Sequence, residues 1–409
     1  MAMLATLIPL FDEKMTVKAY SLFTQKANYL MNPIFLGTGL NDGAGHITGL
    51  EIINSMGIET ITKDSDIFVP VTNVSLFSNI NEQCDAPHNR IVILIDRTVK
   101  PEDMYVNRIR ELKSMGYKFA IRKLSVPDFE PYRSILSLMD YILLDHKKIV
   151  IEKARIYFTK VYPDIKLIAG NIDAQEIFES LKEQGGYQLY EGEFYRVPIT
   201  KGSTEIAPVK VNYIELLNIV NADNFDLTKA ADVIGRDTAL VISLLEMVNH
   251  MAINSEITSI RHAAAMLGQR ELKKWITTAV TKQLCADKPS EVARVSLLRA
   301  KFAENLAPIF EQAGQSQELF MMGLFSVLDV ILGKTMTEAL EMLKVSKNIS
   351  RALISKEGPY AELYTFMLQY ESASWTDVDR VMLLKELDSD AVYNAYIDTL
   401  KWYRELFIK

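Results

Sequence analysis

The residues of this chain that could do chemistry are few and scattered. Arg122 and Lys123 stand together at the end of a strand-like run, Lys118–Ile121. Adjacent cations at a strand end can grip anionic oxygens, or they can be solvated or held by carboxylates. The five histidines, His46, His88, His146, His250 and His262, show no mutual ligand spacing. Isolated imidazoles do not make a metal site without further donors, so structural or exposed roles are expected of them. His250 follows Val248-Asn249 in a position of loop character, and His262 adjoins the Ala263–Ala265 run on a helix. The glycine-rich GTGLNDGAG, Gly37–Gly45, lacks the Gly-Lys-Ser/Thr of a phosphate-binding loop and reads as a flexible loop. Two cysteines, Cys84 and Cys285, form no CxxC pair and fit a reducing compartment. The stretch Ala264–Ile276 has a superficial helix-turn-helix look, with Lys273 and Lys274 adding local charge. A net charge of -7 disfavours a general nucleic-acid binder. The Met321-Met322 run, with Phe320 and Phe325, reads as core.

The elements that must position these residues change character once along the chain. In the first half, β-rich runs occur at Leu7–Phe11, Ile67–Val71, Ile91–Ile95, Lys118–Ile121, Tyr141–Leu144, Ile165–Ile168 and Leu189–Tyr190. Amphipathic stretches lie between them, at Gly49–Met56, Met104–Met115, Ser134–Met139, Lys148–Val161 and Ala174–Gln184. Strand and helix alternating at this spacing imply a largely parallel sheet. About seven such strands imply a closed or nearly closed barrel, short for that fold and so conceivably incomplete. The polar stretch Ile199–Pro208 reads as a linker. Beyond it the pattern is helical to Lys409, with Asp226 and Asp237 at N-cap positions and Gly268 as a stop. Phe320–Leu332 is too short to span a bilayer and carries Asp329, so it reads as a buried helix. No signal peptide is expected, because the apolar Met3–Phe11 lacks a basic leader. The expected division is residues 1–200 and 201–409.

The first half resembles the EAL family of cyclic-di-GMP phosphodiesterases, segment after segment and in family order. IPLFDEKMTVKAYSLF (Ile8–Phe23) is similar to the first strand and naming motif. GYKFAIRKL (Gly116–Leu124) resembles the strand ending in paired aspartates, and DYILLD (Asp140–Asp145) the strand with the family's lysine. LIAGNID (Leu167–Asp173) and GYQLYEGEFYRVP (Gly186–Pro198) resemble the closing segments. The second half resembles the HDOD domain, a helical relative of the HD phosphohydrolases, through Phe225–His250, Ile257–Ile276, Leu297–Ala307, Leu319–Leu332 and Gln369–Trp375. The implied architecture is a TIM-barrel-like EAL-type domain followed by an all-helical HDOD domain.

The resemblance also implies where catalytic groups should stand. An EAL enzyme cleaves a phosphodiester with metal-activated water, the divalent cations being held by carboxylates and an asparagine at strand ends. In this chain the corresponding positions are Ser21, Pro70, Leu94, Arg122, Lys123, Leu143, Gly170 and Glu191. Pro70 and Leu94 are placed to within a residue or so, with Asn73 and Asp96 nearby. The pair Arg122-Lys123 replaces two aspartates and would repel a metal ion. No His-Asp pair exists for HD chemistry. The expectation is therefore a degenerate EAL domain with no catalytic residues, cofactor or resident metal. The chain would be a cytoplasmic bacterial signalling protein acting through protein contacts, with a homo-oligomer left open. No DNA and no membrane span are expected, and cyclic di-GMP binding is not favoured. The alternative is a cyclic-dinucleotide receptor that binds without hydrolysis. Trp275, Trp375, Phe320 and Phe325 are expected to pack helices together. Partner recognition is placed near His250–Glu256.

Overall fold

The structure, a computed structural model, describes residues 3–26, 46–62, 64–197, 208–222, 225–251, 257–343 and 345–406. Eight strands come first: β1 (Met3–Phe11), β2 (Val17–Lys26), β3 (Asp66–Pro70), β4 (Ile91–Asp96), β5 (Lys118–Arg122), β6 (Tyr141–Asp145), β7 (Lys166–Ile172) and β8 (Leu189–Gly192). They hydrogen-bond in chain order and the ring closes from β8 to β1. The barrel is therefore complete. Strand β1 runs antiparallel to both of its neighbours and the remaining pairs are parallel. The helices α1 (Thr48–Met56), α2 (Ile58–Thr62), α3 (Asp103–Ser114), α4 (Arg133–Leu136), α5 (Ile151–Val161) and α6 (Gln175–Gln184) fall between strands.

Local chemistry accounts for these elements. The strand IVILID, β4, is apolar on both faces because one face lines the barrel and the other lies under helices. Helix α3 turns Val106, Ile109 and Leu112 inward, at helical spacing, and its charges outward. The β1–β2 turn is held by Asp12, whose carboxylate accepts from the Lys14 and Thr16 amides, both at 2.9 Å. Strand β2 has no counterpart among the seven strand-like runs of the sequence. Ala19, Ser21 and Phe23 share one of its faces with no apolar–polar alternation against Tyr20 and Leu22, so the period-2 signal fades.

The hairpin is longer than the barrel beneath it. Strands β1 and β2 pair from Met3↔Lys26 to Phe11↔Val17, but β3 joins β2 only at Ala19–Ser21 and β8 joins β1 only at Leu10–Phe11. Inside the barrel, Leu10, Ala19, Phe68, Val92, Leu94, Ala120, Tyr141, Leu143, Ile168 and Leu189 form one buried cluster. At its closing seam Gly192 allows two backbones to meet. A Cβ there would lie 2.0 Å from the Ile172 carbonyl oxygen, and its φ of +155° suits glycine.

The described residues from 208 onward form no strand. They fold into α7 (Pro208–Asn221), α8 (Leu227–Ile234), α9 (Thr238–Met251), α10 (Ile260–Leu284), α11 (Ser290–Leu306), α12 (Ser316–Phe325), α13 (Leu328–Leu332), α14 (Met336–Glu341), α15 (Lys347–Ser355), α16 (Ala361–Glu371), α17 (Trp375–Leu384) and α18 (Ser389–Glu405). Asp226 caps α8, accepting from the Thr228 and Lys229 amides. Asp237 does the same at the start of α9 for Ala239 and Leu240. Gly268, at φ +73°, breaks α10 where the sequence places a stop. Phe320, Phe325, Trp375 and Asp329 are buried, as expected. Two expectations need correction. Trp275 is half-buried, because its ring falls at the margin of the buried face marked by Leu272 and Ile276. His250 belongs to the last turn of α9, since the helix runs on through Asn249, whose side chain pairs with the Ile257 backbone. The loop Gly37–Gly45, the linker Ile199–Ala207 and residues 252–256 lie outside the described residues.

The chain separates into two compact units. One comprises Met1–Val197, Asn305–Gly314 and Thr365–Lys409, and the other comprises Pro198–Glu304 and Gln315–Tyr364. A cut at 200/201 therefore assigns the last stretch to the helical half, whereas these residues pack with the barrel. The reason is specific bonding. The Ala5 amide donates to Tyr370 Oη at 3.3 Å, and Arg196 is ion-paired to Glu371 at 2.5 Å. No helix among the described residues is long and apolar enough to cross a membrane.

Candidate functional site at the barrel mouth

Side chains alternate along a strand, so the interior cluster fixes which residues form the next layer toward the strand ends. That layer holds Ser21 after Ala19, Pro70 after Phe68, Asp96 after Leu94 and Arg122 after Ala120. It continues with Asp145 after Leu143, Gly170 after Ile168 and Glu191 after Leu189. Within this layer Asp96↔Arg122 and Asp145↔Gly170 are register neighbours, and the stagger of the barrel sets Ser21, Pro70, Arg122 and Glu191 beside Phe68, Leu94, Leu143 and Leu10 of the cluster. In TIM-type barrels this end carries the chemistry. Five positions inferred from the resemblance, Ser21, Pro70, Arg122, Gly170 and Glu191, fall in this layer. Leu94 and Leu143 belong to the buried apolar cluster, although they register with Pro70 and Arg122. Asp96 and Asp145 occupy the mouth on those two strands. Lys123 begins the loop after β5.

The centre of the layer is a buried polar group. Ser21 Oγ donates to Glu191 Oε1 at 3.0 Å, and both residues are buried. Burial pushes the Glu191 carboxyl up, while the Arg122 guanidinium and the Ser21 hydroxyl pull the other way. Burial likewise lowers Arg122, opposed by Glu191 and Asp96. A guanidinium keeps its proton in proteins, so Arg122 is a fixed cation between two acids. Its carbon lies 5.5 Å from the centre of the Phe23 ring. Its Nε is buried with no hydrogen-bond partner. Gly170 makes room for this arrangement: a Cβ there would sit 3.4 Å from Glu191 Oε2.

The other two carboxylates of the layer also have cations. Asp96 accepts from the Thr98 amide at 2.9 Å and hydroxyl at 2.7 Å, and pairs with Lys123 at 3.3 Å. Its burial would raise the carboxyl, but the Thr98 bonds and Lys123 outweigh that and hold it below the usual range. Lys123 reaches Asp96 from a left-handed backbone, φ +62°. Asp145 pairs with Lys148 at 3.0 Å and accepts from the Lys147 amide. His146 Nδ1 donates to the Gly170 carbonyl at 2.8 Å, which leaves Nε2 buried without a partner. The β7–β8 register shifts between Ala169 and Ile172, and Asn171 has φ +61°. Bulges and strained backbone of this kind gather beside functional sites.

A hard divalent cation needs several oxygen ligands that are not already committed. Here three carboxylates face three side-chain cations, and among the described residues no cluster of three or more His, Cys, Asp or Glu could hold a metal. Sequence reasoning named Asp96 only as a neighbour of Leu94 and passed over Asp145. The signal was present in the period of two from Leu94 and Leu143.

Among its described residues the helical unit has no comparable centre. His262 and His250 are exposed. A groove of about 420 Å³ runs along α7 and α8, lined in part by Val211, Ile214, Glu215 and Lys229. The buried polar groups Ser296, Arg299 and Ser326 serve a helix crossing. Ser296 Oγ donates to the Leu324 carbonyl at 2.6 Å, and Arg299 Nη1 to Ser326 Oγ at 3.1 Å.

Residues 206–357 match the HDOD domain family. The uncharacterized protein YuxH of Bacillus subtilis is 27% identical over 410 residues, covering 97% of each chain. The cyclic di-GMP phosphodiesterase CdgJ of Vibrio cholerae is 24% identical over 406 residues, covering 97% of this chain and 91% of that protein. Among solved structures, an EAL domain protein from Listeria monocytogenes aligns with 47% of this chain and 87% of its own, at 16% identity and a TM-score of 0.36.

Proposed function

The chain has an EAL–HDOD architecture, related to cyclic-di-GMP phosphodiesterases, and we propose that it is a non-catalytic cytoplasmic signalling protein acting through protein contacts. One observation carries this reading. The mouth of the barrel holds the fixed cation Arg122 beside Glu191 and Asp96, so the negative potential that would collect a divalent cation is cancelled from within. Without that cation, no group in the layer can generate a hydroxide at neutral pH. Glu191 is engaged by Ser21, and Asp96 by Thr98 and Lys123. The buried, unpaired thiols of Cys84 and Cys285 suit a reducing compartment. Contact-based output follows because both units keep their packing while neither keeps a ligand cluster among the described residues, an argument from fold-level analogy.

The test is direct, because one full-length relative bears the name of a phosphodiesterase. Purified full-length protein is incubated with cyclic di-GMP and Mg²⁺ or Mn²⁺. No turnover above buffer is expected; hydrolysis that a chelator abolishes and metal restores overturns the proposal. Calorimetry with the same nucleotide addresses the receptor alternative: saturable binding without turnover would replace the contact reading with a receptor reading.

A further inference from the structure

The upper part of the β1–β2 hairpin projects beyond its neighbours and should be an exposed edge. Residues Leu22–Lys26 of β2 have no β3 partner, and Met3–Pro9 of β1 have no β8 partner. About three residues of β2 rise past the level of Pro70, or ~10 Å at strand spacing. An open edge of this kind invites foreign strands. Yet Leu4, Ala5, Thr6 and Leu7 are all buried. The cover comes from the far end of the chain.

The contacts are polar and specific. Tyr370 Oη accepts the Ala5 amide, one of the outward-pointing edge donors. Thr6 Oγ1 donates to the Glu371 carbonyl at 3.4 Å and lies 3.4 Å from Tyr396 Oη. Gln25 Nε2 donates to Asp379 at 3.4 Å. Glu371 is also bound by Arg196, just after β8, and that pair is almost fully buried. Asn305 bonds the Ala395 carbonyl and Thr399 Oγ1, which holds α18 from its other side. Thr6 is the register partner of Phe23, and the Phe23 ring carries the Arg122 guanidinium. A continuous line of contacts therefore runs Arg122, Phe23, Thr6, Tyr396.

We propose that residues 365–406 are an intramolecular strap, which closes the free edge of β1 and couples the barrel mouth to α18. The chain passes between the two units at 197/198, 304/305, 314/315 and 364/365, and the last passage leads directly into the strap. The helical unit is thus bracketed in sequence by segments of the barrel unit. A change at the mouth that moves Phe23 shifts Thr6 and loosens Tyr396. A pull on α16 releases the Ala5 amide and opens the hairpin edge. By linkage, the coupling acts equally in both directions. This inference does not depend on whether the mouth hydrolyses or binds anything.

Residue-resolved amide hydrogen exchange on the full-length chain tests it. Tyr370→Phe removes one hydroxyl and keeps the ring. It should speed exchange at Ala5 and Leu7 about five- to tenfold, the loss expected of one net hydrogen bond, and leave Ile93 in β4 unchanged. Phe23→Leu keeps the apolar volume and removes the ring beneath Arg122. It should speed exchange across the first half of α18, at residues 392–399, again sparing Ile93. Glu215→Arg, in an exposed pair of the other unit, should alter neither region. Unchanged exchange at Ala5 in Tyr370→Phe overturns the edge closure. Unchanged exchange in α18 of Phe23→Leu, with a well-folded chain, overturns the coupling. A uniform rise that includes Ile93 also counts against the proposal, because it marks global destabilisation rather than a local latch.

Discussion

The barrel mouth and the α11–α12 crossing both bury arginine, serine and acid, and they treat them differently. At the crossing, Ser296 and Arg299 spend their donors on a neighbouring carbonyl and hydroxyl, and Arg294 pairs with Glu291 one turn away. The helices meet closely because Gly323 has no side chain: a Cβ there would stand 2.3 Å from the Arg299 carbonyl oxygen. At the mouth, Arg122 keeps a buried Nε and His146 a buried Nε2 without partners. Native interiors rarely leave such atoms unsatisfied, and exceptions need a reason. The contrast teaches that the crossing is built for stability, whereas the mouth is a polar layer whose charges balance without fully bonding.

Removing the central cation should break the comparison most severely. Arg122→Ala leaves Glu191 buried without the cation that opposes its burial, and an uncompensated buried acid costs about 3 kcal/mol. Denaturant unfolding should show that loss at neutral pH. The loss should shrink in acid, where Glu191, already inclined to hold a proton, is neutral. The double variant Arg122→Leu/Glu191→Leu should be more stable than Arg122→Ala. If it is less stable, the mouth is a bonded structural network like the crossing and the distinction fails.

Gly323→Ala is the matching test on the other side. The clash is with backbone, which cannot rotate away, so overpacking should cost about 1–3 kcal/mol. Gly170→Ala, at the mouth, meets the Glu191 carboxylate at 3.4 Å and the Leu144 carbonyl oxygen at an ordinary 3.7 Å, and should cost well under 1 kcal/mol. Equal costs at the two glycines would mean that the mouth is packed as rigidly as the crossing.

Much of this contrast was readable before any coordinates, and the unreadable part has identifiable causes. The βα alternation, the helical second half, the caps at Asp226 and Asp237 and the break at Gly268 are local signals, and local signals survive folding. Strand β2 escaped because both its faces are covered. Ser21, Arg122, Gly170 and Glu191 could be nominated from family order. Their meeting in one layer could not, because it depends on a register shared by strands up to 170 residues apart. The strap was invisible: Tyr370 and Tyr396 sit in ordinary helical patterns, and only the folded chain brings them to Ala5 and Thr6.

The sharpest test is the one whose sign differs between two acids of the same layer. Asp96 has a carboxyl held below its ordinary value by Thr98 and Lys123. Its unfolded form therefore takes up protons first as pH falls below ~4, and the stability it contributes is present above that value and lost in acid. Glu191 has a carboxyl raised by burial. Its folded form holds the proton more tightly, so its contribution is greatest in acid and falls as pH rises past ~4.3. Removing each titration in turn isolates it. For Asp96→Asn, the stability deficit against the parent chain should be about 1–2 kcal/mol at pH 7 and should narrow toward pH 3. For Glu191→Gln, the difference should shift in the variant's favour as pH rises from 4 to 7. Urea unfolding at several pH values measures both slopes. If the two variants respond to pH with the same sign, Asp96 and Glu191 share one environment. The picture of Arg122 holding two unlike acids apart is then wrong.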